Sequence, residues 1–207
     1  TRSFWTISFT RRETKVDANN YRYPKDTQFV ITEIYPNGFR AVGIQNTWDV
    51  AAIAGIEGSI RNGWNWNASA TYGANWWNVN LNNSNNASQY QLGKNAQTDF
   101  YLGKTVFQQN TNNVNFNRDF TKQVRWVQLF VLGAGTEFRL ENYQMKTGDS
   151  ASWYNYAPTT RRVGGSQVLN GISQENVVNK NRYVVAAYVN LEVEQNDKFL
   201  YNLSGRY

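Results

Sequence analysis

The feature that most restricts what this chain can fold into is a strict alternation of apolar and polar residues. It is sustained for more than ten residues at a time and recurs along the sequence. Successive side chains leave a β-strand on opposite sides, so a period of two marks a strand with two unlike faces. The cleanest case runs from Trp64 to Trp77. Trp64, Trp66, Ala68, Ala70, Tyr72, Ala74 and Trp76 lie on one side, with Asn65, Asn67, Ser69, Thr71, Gly73, Asn75 and Trp77 on the other. Phe130, Leu132, Ala134, Phe138 and Leu140 alternate with Gly133, Gly135, Glu137, Arg139 and Glu141. Tyr183, Val185, Ala187, Val189, Leu191 and Val193 share one side, opposed by Asn190, Glu192 and Glu194. Phe199, Tyr201, Leu203 and Tyr207 repeat the pattern at the end.

Strands in soluble proteins usually run about 5–6 residues. These alternations are roughly twice as long, which suits a tilted strand crossing a bilayer in about 9–11 residues plus overhangs. From Trp64 to Trp76 the strand is about 40 Å long at about 3.3 Å per residue. A tilt of about 40° projects it to roughly 30 Å along a barrel axis. Trp64 and Trp66 at one end, and Tyr72 and Trp76 toward the other, with alanines between, match the aromatic girdles of a lipid-facing barrel surface.

Composition narrows the function. With 15% aromatic residues and 17% charged ones the chain is not of the disordered type. It contains no Cys and no His, which excludes disulfides, thiol catalysis, imidazole-based triads and HExxH zinc sites. No catalytic residue, metal site or cofactor is expected, and the chain is read as a non-enzyme. The net charge of +6 permits an acidic partner, but Lys and Arg are scattered over turns and loops, so nucleic acid is not an expected partner. No signal peptide is expected at the Thr1–Trp5 opening, which already lies inside an alternation. Apolar runs such as Val50–Ile56 and Val184–Val189 fall far short of the roughly 20 residues of a membrane-crossing helix.

Connections alternate in length. Short turns are expected at Arg61-Asn62-Gly63, around Thr121-Lys122-Gln123 and at Gln195-Asn196-Asp197; Asn-Gly is a strong hairpin signal. Long connections are expected at roughly 15–45, 80–108 and 147–181, and they hold all three prolines. No helix is required. Short turns on one rim and long loops on the other is the layout of a transmembrane barrel, with periplasmic turns and extracellular loops. The expected strands are about 2–13, 46–60, 64–79, 109–120, 126–146, 182–195 and 198–207. Residues 98–108 read as structure within a loop or as an upward extension of the following strand. Seven strands cannot close a single-chain bacterial barrel, which uses an even number. The expectation is therefore an all-β chain, one antiparallel barrel segment over 1–207 that belongs to a larger barrel.

Several stretches resemble the barrel of TonB-dependent outer-membrane receptors. They are the loop Ile34-Tyr35-Pro36-Asn37-Gly38-Phe39, the strand Gly63–Gly73, the strand Gly133–Tyr143, the stretch Val185–Glu192 and the ending Ser204-Gly205-Arg206-Tyr207. The resemblance implies a 22-strand barrel in the outer membrane of a Gram-negative bacterium, filled by a plug. Such a receptor imports a scarce nutrient (siderophore, vitamin, glycan or peptide) with energy supplied through TonB. Implied partners are outer-membrane lipid, the TonB complex acting through the plug, and a surface lipoprotein. Neither plug nor TonB-contacting box lies in these residues.

Two groups of residues are candidates for a site. Glu137, Arg139 and Glu141 alternate on the polar side of one strand, with Glu57, Glu192 and Glu194 expected on its neighbours. They suit a lumen-facing polar surface, or a structural ion-pair ladder on the barrel wall. In the 147–181 loop, Trp153, Tyr154, Tyr156, Arg161 and Arg162 suit capture of sugar rings or of an anion such as a siderophore complex. They equally suit a packed loop covering the barrel mouth. The Asn-rich stretch with Asn82, Asn83, Asn85 and Asn86 reads as a solvated loop, and its Asn-Asn-Ser and Asn-Ala-Ser triplets formally match glycosylation acceptors. Two other readings compete with transport. One is a complete eight-stranded barrel acting as anchor or adhesin, which needs a separate strand at 98–108. The other is a soluble Trp-rich carbohydrate-binding sandwich.

Overall fold

The computed structural model describes residues 1–17 and 20–207. It is all-β with little helix. Seven strands form one antiparallel sheet in chain order: β1 (Arg2–Asp17), β2 (Val42–Ser59), β3 (Trp64–Asn82), β4 (Phe100–Asp119), β5 (Leu129–Lys146), β6 (Val178–Asn196) and β7 (Phe199–Arg206). The sheet is not closed; β1 and β7 are its two edges.

Most strands start or end beyond the ranges that alternation marks, because ladder hydrogen bonding continues where the side-chain pattern fades. The clearest case is 98–108. It is neither a separate strand nor loop structure but the upper part of β4, continuous from Phe100 to Asp119 and paired with β3 on one side. The extension reading holds, and the eighth strand required by the small-barrel reading is absent from the sheet. The expected absence of helix needs correcting in the connections. They contain one helical turn, Ser150–Trp153, and 3₁₀ turns at Ala87–Asn95, Thr121–Gln123 and Gln174–Asn176. Between β2 and β3 the chain reverses over Ile60–Gly63. The Gly63 N–H donates to the Ile60 carbonyl at 3.0 Å, and Gly63 takes φ +77°. A glycine suits this left-handed position because it has no Cβ to clash.

Register sorts the residues. Trp5 lies opposite Ala54, Ala54 opposite Ala70, Phe138 opposite Val185, and Leu132 opposite Leu191, which faces Leu203. The apolar sides of all seven strands thus fall on one face of the sheet. A slip of one residue in any pair would turn that strand's apolar set to the other face. Aromatic residues cluster at both margins of this face. Near the short turns, Phe120 sits edge-on to Trp64 and Phe130, with centroids 6.0 and 6.1 Å away. Near the long connections, Phe9 packs on Trp48 at 5.6 Å, and Trp48 lies opposite Trp76. Between them lie Ala52, Ala54, Ala68, Ala70, Val114, Ala134, Ala187 and Val189. β4 interrupts the pattern with Asn110 and Asn112, whose side chains bond each other at 2.6 Å.

A single layer buries neither face. Trp5 and Val185 are 75% exposed and Leu203 71%. The sandwich reading requires a second sheet over this face, and the described residues form only one. The buried apolar core lies at the end of the sheet where the long connections converge. There Val30, Phe39, Ala41 and Ala151 pack against Val79, Leu81, Phe100 and Leu102 at the upper ends of β3 and β4.

Candidate functional site

Three long connections, through residues 20–41, 83–99 and 147–177, build a cap over the upper end of the sheet. The Asn-rich stretch is its keystone, which corrects the reading of a solvated loop: Ser84, Asn85 and Asn86 are fully buried. Asn85 accepts from the Ile31 N–H at 3.0 Å and donates to the Phe29 carbonyl at 2.8 Å. Asn86 donates to the carbonyls of Ala151 and Tyr154 at 2.8 and 2.9 Å, while its Oδ1 accepts from the N–H and hydroxyl of Ser88. The Ser84 hydroxyl donates to the Gln167 carbonyl at 2.9 Å. An amide side chain carries both donors and an acceptor, so it can satisfy loop backbone groups that no ladder reaches. Buried and fully engaged, Asn86 cannot serve as a glycosylation acceptor.

Tyr35 joins the same seam, its hydroxyl donating to the Ser84 carbonyl at 3.0 Å. Burial, reinforced by the nearby Asp99 carboxylate, pushes the Tyr35 phenol up to about 12 from its usual 10.0. The folded chain thus holds this proton more tightly than the unfolded chain. Its contribution to stability is complete below pH 10 and is lost as the pH rises toward 12. Alkaline titration followed by ultraviolet absorbance is expected to show a late phenolate step that Tyr35→Phe removes. Ionisation of Tyr35 together with the exposed tyrosines would contradict this.

The loop residues expected to act together fall into two groups. Trp153, Tyr154 and Tyr156 form an edge-to-face run, with centroids 5.8 and 5.0 Å apart. Arg161 and Arg162 instead line a separate cleft of about 500 Å³, together with Lys25, Asp26, Thr27, Gln28, Tyr90 and Thr160. The Arg162 guanidinium donates to the Val30 carbonyl at 2.9 Å and lies 4.8 Å over the Tyr90 ring. No local pattern marked Lys25, Thr27, Gln28 or Tyr90, since they come from two other connections.

On the polar face of the sheet, Glu137, Arg139 and Glu141 do meet: Arg139 lies 3.4 Å from Glu137 and 3.5 Å from Glu141. Two further arginines complete the cluster. Arg182 reaches Glu141 at 2.6 Å from β6, and Arg206 reaches Glu137 at 3.0 Å from β7. The remaining carboxylates stand apart. Glu192 and Glu194 lie on β6 opposite Val131 and Leu129, toward the short-turn end. Glu57, expected on a neighbouring strand, is on β2, three strands from β5, and pairs with Arg2 at 3.8 Å. Beside the cluster, the Tyr188 hydroxyl reaches across β5 to Asn115 at 2.6 Å. It passes over Gly135, where a Cβ would come within 2.5 Å of the Tyr188 ring.

Trp64, Trp66, Tyr72 and Trp76 share the apolar face, with the first two near the short turns and Trp76 near the long connections. No protein-family model matches the chain, and no curated protein matches it either.

Proposed function

We propose that the chain is part of the wall of an outer-membrane barrel, in a receptor of the TonB-dependent type that imports a scarce nutrient. The observation that carries this reading is the register. It gathers most apolar residues of the seven strands on one uncovered face, bounded by aromatic rows and interrupted on β4 by Asn110, Asn112 and Arg118, and leaves most of the Asn, Ser, Thr and Glu on the other. A face of that kind is costly in water and suited to hydrocarbon. The opposite face, with its Glu137–Arg139–Glu141 cluster, fits a wet interior or a plug surface. The unpaired edges at β1 and β7 cannot face lipid, where each unsatisfied backbone group costs several kcal/mol. Further strands of a larger barrel would cover them. The long connections then lie on the outer side, and the sequence resemblance supplies the receptor type, the TonB-linked plug and a surface lipoprotein as partners.

Alkaline carbonate extraction of cell envelopes tests the membrane placement. The protein is expected to stay in the pellet and to need detergent for release. Release by carbonate into a stable, detergent-free solution would overturn the reading.

A further inference from the structure

The cleft between the long connections has the makings of a binding site, and its chemistry is asymmetric. Lys25, Arg161 and Arg162 bring three positive charges to a space of about 500 Å³, against the single carboxylate of Asp26. None of the three cations takes part in an ion pair among the described residues. Like charges gathered in one concavity repel one another and raise the local potential, which favours an anion there. The volume falls in the range of small-ligand sites, about 300–1,000 Å³.

The walls are held in place. The Val163 N–H donates to the Gln28 carbonyl at 2.9 Å, tying one rim to the other. Thr160 donates through both its N–H and its hydroxyl to the Ala157 carbonyl, and its hydroxyl accepts from the Arg162 N–H at 3.1 Å. The Arg162 guanidinium is fixed between the Val30 carbonyl and the Tyr90 ring, with its other N–H groups unclaimed by acceptors among the described residues. A pre-oriented guanidinium loses little freedom on meeting an oxyanion and can bind it through two parallel hydrogen bonds. Thr27, Gln28 and Tyr90 add neutral polar groups suited to hydroxyls.

We propose that this cleft binds a small hydroxylated anion, a sugar or hydroxy acid bearing a phosphate or carboxylate. The charged group meets Arg161, Arg162 and Lys25, and the hydroxyls meet the neutral rim. The proposal does not depend on the sheet being a membrane wall, because the cleft is formed by the connections alone.

Calorimetric titration of the full-length protein in detergent provides the test, with glucose 6-phosphate and glucuronate as probes and glucose as the neutral match. Saturable binding of at least one anion is expected, at least tenfold tighter than glucose. Arg161→Gln and Lys25→Gln are each expected to weaken it fivefold or more. Asp26→Asn, which removes the one opposing charge, is expected to tighten it, a gain that misfolding cannot mimic. Equal binding of glucose, absence of saturable binding by either anion, or indifference to all three substitutions would overturn the proposal. Carbonate extraction reads the membrane placement separately, so either proposal can fail without the other.

Discussion

Replacing Asn86 with leucine is expected to release the cap from the sheet end. The substitution strips the buried Ala151 carbonyl of its donor and the buried Ser88 N–H and hydroxyl of their acceptor, and it leaves the part-buried Tyr154 carbonyl with the Gly165 N–H alone. Each buried polar group left unpaired costs about 1–3 kcal/mol. Water entering a loosened cap recovers part of this, so a net loss of about 3–5 kcal/mol is expected, at the upper end for single substitutions. Because the lost bonds lie between connections, the effect should be local. Hydrogen exchange should accelerate across 147–177 and around Phe29–Ile31, while the amides of β5 and β6 keep their protection. Protection unchanged in the 147–177 connection would show that Asn86 is not the keystone. An exposed amide elsewhere, such as Asn202, provides a control expected to change stability by less than about 0.5 kcal/mol.

The second large effect separates the two faces of the sheet. Ala70 lies on the apolar face, six residues from Trp64 and six from Trp76, and so at the middle of the proposed bilayer. Ser69, its neighbour, points to the polar face opposite Gly55 and Asn113. Ala70→Arg is expected to cost about 2–4 kcal/mol of folded stability in a bilayer, the usual penalty for a cation at the midplane of a barrel's lipid face. Ser69→Arg, one residue away in the same strand, should cost less than about 1 kcal/mol, since its side chain enters a wet, polar surface. Folding of the full-length protein into liposomes, read as the heat-modifiable band on unheated gels across a urea series, gives both numbers. Equal costs at the two positions would mean that the apolar face does not touch hydrocarbon, and the membrane reading would fall.

The strands were readable from the residues because period two is a local property. Trp64, Trp66, Ala68 and Ala70 announce a face with no knowledge of their neighbours, and the alternating connection lengths arrange such strands as a meander. What was misread lies where partners are distant in sequence. Asn85 and Asn86 look like solvent-facing loop residues by type, yet they serve carbonyls and an amide 54 to 68 positions away. Local composition registers their polarity but not the backbone groups awaiting them. The Glu137–Arg139–Glu141 trio was visible as alternate residues on one strand. The pairing of Glu137 with Arg206 was not, because it spans 69 positions and two strand boundaries. Glu57 was placed beside that trio by charge type alone, and strand order puts it elsewhere. The loop aromatics and arginines were grouped because they are near in sequence; folding parts them, sending the arginines to face Lys25 and Tyr90.

By itself the sequence determined that the chain is all-β with seven strands, the sidedness of the strands and the absence of thiol and imidazole chemistry, all of which follow from residue type and the two-residue repeat. Only the tertiary structure decided which connections interlock, which charges meet and that 98–108 belongs to β4. Those outcomes depend on hydrogen bonds and ion pairs between groups far apart along the chain, and no local pattern encodes the distance between them.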